Sequence, residues 1–172
     1  MVVKKLKNNS GSTMIIWLII ISLIFILLSA FFIDFANLYT NAKKVKSSVN
    51  LAVKAASLQI KEDERLASGK FEIDKDKAYK AFIKILANNL NLDESTLEPL
   101  ENSILYEKPV IREFEVINNT PMLYNSMILN NIYKVENSSV FVVVEFKIKT
   151  IFISGDIIVD KLSSSQLSTI YE

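Results

Sequence analysis

Cysteine and histidine are both absent from this sequence. Without cysteine the chain has no disulfide framework and no thiolate chemistry. Without histidine it lacks the usual general base near neutral pH and the commonest zinc ligand. The two absences argue against most hydrolase and metalloenzyme mechanisms, while carboxylate and lysine chemistry stay open. Glycine and proline are scarce, with three of each. None of them falls between Ser12 and Ser68, so nothing in that stretch breaks a helix. Loops that cradle a ligand are correspondingly rare. No Gly-rich phosphate loop, nucleophile elbow or paired-carboxylate motif is present.

Acidic residues are missing from the first 33 positions, where Lys4, Lys5 and Lys7 stand alone. They are missing again between Phe35 and Ile60, a stretch that carries Lys43, Lys44, Lys46 and Lys54. From Lys61 onward the chain holds 13 basic and 18 acidic residues. A nucleic-acid-binding domain carries a basic surface. This mildly acidic portion does not, and no nucleic-acid partner is expected.

What the N-terminal third does contain is a long apolar run. Met14 to Ile33, "MIIWLIIISLIFILLSAFFI", has no charge, no Gly and no Pro. As a helix rising about 1.5 Å per residue it spans a hydrocarbon layer about 30 Å thick. A secretory signal peptide has a shorter apolar core and small residues at its cleavage site. Here Ser29 and Ala30 are followed by Phe31 and Phe32, so the run reads as a retained anchor. Trp17 at one end, and Phe31, Phe32, Phe35 and Tyr39 at the other, suit interfacial belts. The short basic N-terminus favours a cytoplasmic N-terminus, although Lys43, Lys44 and Lys46 lie on the far side.

Helical periodicity continues past the membrane. Leu38, Ala42, Val45, Val49, Ala52 and Ala56 recur at spacings of 4, 3, 4, 3 and 4, a seam of period 3.5 suited to packing against another helix. Most of these side chains are small, which permits close backbone approach. The stem is expected to run to about Leu66. Its upper half, near Ile60, is expected to pack on the chain's own domain. The lower half would require that domain to fold back far along the stem, so partner helices, in the same or a sister subunit, are the expectation there. The four lysines read either as a solvated face or as a surface for anionic headgroups or a neighbour's acidic domain.

A second helical signal follows Phe71. Asp74 or Asp76 caps a helix with apolar face Ala78, Phe82, Ile85, Leu86 and Leu90, ending near Asn88 and Asn89. Asp74, Asp76, Asp93 and Glu94 lack calcium-loop spacing and read as caps and turns. Strands are expected at residues 110–117 and 140–153. In the latter, Val144, Phe146 and Ile148 face a core while Glu145, Lys147 and Lys149 face water. If the two pair, Glu113 and Glu115 are expected near Lys147 and Lys149. Residues 154–156 read as a turn into a short strand, and residues 121–135 are ambiguous between helix and strand. Ser163, Ser164 and Ser165 with Lys161 read as a polar tail rather than a Ser-Lys pair. The expected fold is α+β: a long N-terminal transmembrane-plus-stem helix, one more helix and a small antiparallel sheet. The segments are residues 1–13, a basic cytoplasmic N-terminus; 14–33, a transmembrane helix; 34–66, a helical stem; and 67–172, an extracytoplasmic domain.

The stretch from the basic start through "DFANLYTNAKKVKSSVNLAVKAAS" resembles the N-terminal signature of TadE/TadG-like proteins, minor pilin-like components of Flp (Tad-type) pilus assembly systems. In that family an apolar helix leads into a pattern like Asp-Leu-Gly-Arg-Leu-Tyr, then basic residues and an alanine-rich end. Asp34, Leu38 and Tyr39 match the first block without a gap, Lys43 and Lys44 the basic positions, and Ala52, Ala55 and Ala56 the alanine-rich end. Val45 replaces the usual Leu, Asn37 the usual Arg and Asn50 the usual Asp. Gly11 stands where a prepilin peptidase cuts family relatives. Ile16 occupies the fifth position beyond it, where such substrates carry Glu, so cleavage is not expected.

The resemblance covers about a third of the chain. It implies a pilin-like domain and a non-enzymatic structural role in pilus assembly, with no cofactor, metal or small-molecule substrate. The implied partners are other pilin-like subunits, the assembly machinery and the bilayer. The residues expected to carry assembly are Asp34, Leu38, Tyr39, Ala42, Val45, Val49, Ala52 and Ala56, with Asp34 either stopping the span at the interface or neutralising a positive group of a neighbour. The competing expectation is a membrane-anchored extracytoplasmic binding or sensing domain on a spacer helix. Residues 1–13, as the expected cytoplasmic side, are too few for an output domain, which weakens a sensor but not a passive binder.

Overall fold

The computed structural model describes residues 10–61, 72–150 and 155–164. Within them the chain forms helices α1 (Ser10–Ser57) and α2 (Lys75–Leu90). Five strands follow: β1 (Val110–Ile117), β2 (Met122–Ser126), β3 (Asn131–Val135), β4 (Ser139–Ile148) and β5 (Gly155–Ser164). The layout is α+β. β1, β4 and β5 make an antiparallel sheet in the order β1-β4-β5, and β2 and β3 make a separate antiparallel hairpin.

α1 is a single uninterrupted helix of 48 residues, about 72 Å long. Its apolar half contains few polar side chains, and their hydroxyls turn inward on the helix itself. Ser22 Oγ donates to the Ile19 carbonyl at 2.8 Å and Ser29 Oγ to that of Phe25 at 2.8 Å. Neither hydroxyl of this apolar stretch is therefore left without a partner.

The helix stops at Ser57, short of the expected Leu66. No breaker is responsible; the following residues find better partners. The Gln59 N–H still donates to the Ala56 carbonyl, and Ile60 then bridges Ile73. Lys61 N–H donates to the Glu72 carbonyl and Asp74 N–H to that of Gln59. The chain leaving α1 thus pairs with the chain entering α2. Residues 62–66 of the expected stem, Phe71, the basic Lys4, Lys5 and Lys7, residues 151–154 and Ser165 lie outside the described residues.

Asp74 is the N-cap of α2, accepting from the N–H groups of Asp76 and Lys77 at 3.0 Å each. Capping satisfies donors that the first helical turn leaves open. Ala78, Phe82, Leu86, Ala87 and Leu90 are buried, and Ile83 and Ile85 flank them. The helix ends where Asn91 takes the left-handed conformation (φ 55°) and returns its N–H to the Ala87 carbonyl. The Ile60–Ile73 bridge ties the start of α2 to the membrane-distal end of α1. α2 then packs along α1, which carries its C-terminal end back toward the apolar run.

The sheet is covered on both sides. Val140, Val142, Val144, Phe146 and Ile148 face the helices and share their core. Phe141 and Val143, on the opposite face, form a second core with Ile117 and Val135 beneath the hairpin. Tyr124 and Tyr133 stack on Phe141 with centroids 5.2 and 4.9 Å away. This explains why β4 is buried at every position from Ser139 to Val144 and alternates only after Glu145. The ambiguous residues 121–135 belong to this hairpin.

β1 and β4 pair, but the expected ion pairs do not form. A register shift between Ile111 and Glu113 sets Glu113 opposite Val143 and Glu115 opposite Phe141. Glu113 instead accepts from the hydroxyls of Tyr124 and Ser126, which pins the hairpin to the sheet. Glu115 lies 3.6 Å from the Lys75 ammonium. Arg112 takes Glu145 at 2.6 Å, and Lys147 takes Glu107 at 2.9 Å from before β1. Lys149 donates to the Ser103 carbonyl. Burial and the bond to Glu113 push the Tyr124 phenol well above its ordinary range.

Asp93 organises the turn after α2. It accepts from the N–H and hydroxyl groups of both Ser95 and Thr96. These bonds, led by the Ser95 hydroxyl, lower its pKa from 3.8 to about 2. A carboxylate depressed on folding contributes stability that is present above its unfolded value and lost as pH falls through about 4 toward 2. The Tm of the detergent-solubilised parent should therefore fall more steeply between pH 5 and pH 2 than that of Asp93→Asn. Parallel curves for the two proteins would contradict this role for Asp93.

Candidate functional site on the stem helix

From Met14 to Ile33 the large apolar side chains are 44–71% exposed on every side of α1. Nothing among the described residues covers them. The helix is long and apolar enough to cross a membrane, with a mean hydropathy of 3.0 in its most apolar window. Gly11 lies in its first turn.

One residue beyond the apolar run the environment changes. Asp34 has no exposed surface. It has a partner, and no buried side-chain nitrogen or oxygen among the described residues lacks one. Burying an unpaired carboxylate is costly. The chain itself supplies a polar partner to Asp34.

The seam residues then enter the core in order. Leu38 and Ala42 are half-buried against it, and Val45, Val49, Ala52 and Ala56 are fully buried. Val53 joins them with no exposed surface, and Ser48 retains only 4%. α2, β4 and β5 pack on this face. The lower half of the stem is expected to meet partner helices of the same or a sister subunit, and α2 of the same chain packs there. The cause is the direction of α2, which returns along α1 and brings the domain down to the level of Ala42 and Leu38. The small residues of the seam are what let it approach so closely. Val53 was missed because a 4-3 repeat passes over it, although Val49 and Val53 stand four residues apart on one face.

Of the eight residues expected to carry assembly, Tyr39 alone stays largely exposed, at 62%. The Lys43 ammonium lies 5.6 Å from its ring centroid, within cation–π range. Phe35 and Leu51 are also exposed. The structure therefore gathers Leu38, Ala42, Val45, Val49, Ala52 and Ala56 into one internal interface and leaves Tyr39 outside it.

Asp74 and Asp93 are occupied as cap and turn, and no group of three or more potential metal ligands occurs among the described residues. Two shallow grooves flank α2. One of about 350 Å³ is lined by Lys75, Asp76, Tyr79, Lys80 and Phe114. The other, of about 330 Å³, runs from Tyr79 and Lys80 to Glu94 and Leu97. Each contains a single carboxylate, so neither has the paired acids that general acid–base hydrolysis uses.

The tightness of the seam is open to measurement. Ala52→Leu adds volume where no space exists and should cost about 1–3 kcal/mol in unfolding of the solubilised protein. Lys54→Ala, on the exposed face, should stay within about 0.5 kcal/mol of the parent. An Ala52→Leu protein as stable as the parent would contradict the packing described.

Comparison of the chain with protein-family models, with curated proteins and with solved structures finds no match.

Proposed function

We propose that this chain is a single-pass, membrane-anchored structural component of a Flp/Tad-type pilus assembly system, similar to the TadE/TadG-like minor pilins. In this reading the N-terminus is cytoplasmic, the α+β domain is extracytoplasmic, and the protein acts by packing with other pilin-like subunits rather than by catalysis. The observation that carries it is the continuity of α1. A run exposed on all sides passes without a break into a stem buried on one side under its own domain. An apolar helix of this kind needs lipid or other apolar helices around it, since each large side chain moved out of water gains about 1.5–3 kcal/mol. A rigid connection to the domain means that whatever the span packs against also sets the position of the domain.

Since the stem seam is closed within the chain, contacts between subunits fall to the span and to the exposed face just above it. Helices in lipid associate through small residues that let backbones approach. Ser22, Ser29 and Ala36 recur every seven residues and are exposed, and Tyr39 stands beside them. The absence of native cysteine makes single-cysteine variants unambiguous. Cysteine at Ser22, Ser29, Ala36 or Tyr39 should crosslink to pilin-like chains in membranes of cells that make the complete assembly system, at two or more of the four positions. Ala52→Cys, buried under the domain, should not. Failure to crosslink with any protein at all four positions would count against the proposal.

A further inference from the structure

The stem lysines have no role in the packing described above. Lys43, Lys44 and Lys46 are exposed, and none of them forms an ion pair among the described residues. We infer that these three lysines form a collar that binds the anionic headgroups of the leaflet from which the stem emerges. The inference rests on the membrane-spanning part of the proposed function and does not depend on a role in pilus assembly.

Three observations point to a lipid surface. The first is height. α1 is continuous, so each residue stands about 1.5 Å above the last. Measured from Ile33, Phe35 and Tyr39 stand about 3 and 9 Å above the hydrocarbon edge. That edge is covered by a headgroup layer of roughly 5–8 Å. The two aromatics are exposed and mark this layer. Lys43, Lys44 and Lys46 stand about 15–20 Å up. Helical side chains lean toward the N-terminus, which here means toward the membrane.

The second observation is a contact. The Lys43 ammonium lies 5.6 Å from the ring centroid of Tyr39, the aromatic residue one turn nearer the apolar run. The collar thus falls within about one Debye length of the phosphates, about 8 Å at physiological salt. Lys54 stands about 32 Å above Ile33 by the same rise, well beyond that reach.

The third is the local sign of charge. Asp34 is the sole acid between Thr13 and Ile60, and it has no exposed surface. At this height the stem therefore turns only positive charge outward. Basic clusters next to a span attract anionic lipid, by about fivefold per lysine at close approach. They would also explain why lysines occur on both sides of this span: Lys4, Lys5 and Lys7 direct insertion, and the stem lysines hold the emerging helix to its leaflet.

The test uses the full chain in vesicles containing a trace of spin-labelled lipid. The motionally restricted component of the spectrum gives the association of phosphatidylglycerol relative to phosphatidylcholine. Lys4, Lys5 and Lys7 are changed to Gln throughout, so that only the stem lysines contribute. At low salt the anionic lipid should be favoured threefold or more. That preference should disappear in Lys43→Gln/Lys44→Gln/Lys46→Gln and in 1 M salt, and persist in Lys54→Gln. A triple variant that keeps the preference overturns the inference, as does a Lys54→Gln protein that loses as much of it. Absence of any preference, together with carbodiimide crosslinks from the three lysines to acids of a second copy, would overturn it in favour of a neighbouring subunit. Absence of a restricted component with either lipid would instead refute membrane spanning itself.

Discussion

The contact between the small-residue face of α1 and the domain that folds back onto it holds the two helices and the sheet around one core. Val45, Val49, Ala52, Val53 and Ala56 have no exposed surface. They share a core with Phe82, Leu86 and the inner face of β4. Burial of each valine contributes at most about 1.5–3 kcal/mol. Without it the outer half of α1 would be a helix stabilised by propensity alone, which is marginal in water. With it the outer half of the helix is packed under its own domain, in one unbroken helix with the apolar run.

The remaining architecture follows from covering a sheet that has two apolar faces. The helices take the face of Val140, Val142, Val144, Phe146 and Ile148, and the β2–β3 hairpin takes the face of Phe141 and Val143. Glu113 secures that second cover by accepting both the Tyr124 and the Ser126 hydroxyls. At the lower end, Ser103 Oγ donates to the Leu90 carbonyl, while Lys149 N–H donates to that of Ile104 and Leu105 bridges Ile148. The C-terminal end of α2 is thereby fastened to the end of β4. Among the described residues, the run Met14–Ile33 and the outer side of the hairpin at Leu123 and Ile132 carry large exposed apolar side chains.

Some of this was legible in the residues. The span follows from an apolar run without charge, Gly or Pro, and α2 from the Asp74 cap and the spacing of Ala78, Phe82 and Leu86. β1 and the alternating end of β4 follow from their patterns. Other features depend on contacts that a pattern does not record. A seam of period 3.5 announces a packing partner but not whose it is, so the return of α2 along α1 was not visible. The end of α1 at Ser57 is set by pairing with residues 72–74, not by a breaker. In the hairpin, Leu123 and Ile132 face outward while Tyr124 and Tyr133 cover Phe141, so both faces are apolar and no clear period emerges. The register shift beside Glu113 then rearranged the charge pairs expected from simple alternation.

One continuous helix joins the apolar run to a stem buried under its own domain. Hydrogen exchange of the full chain in detergent micelles, resolved to single amides, tests it most directly. Protection should continue without a gap from Phe35 through Ala56. The amides of Val45, Val49, Ala52 and Val53 should exchange as slowly as those of β4, because both would open only when the domain unfolds. A fast-exchanging break between Asp34 and Ala42, or stem amides that exchange far ahead of β4, would show a hinged anchor carrying an independent domain and would contradict the account.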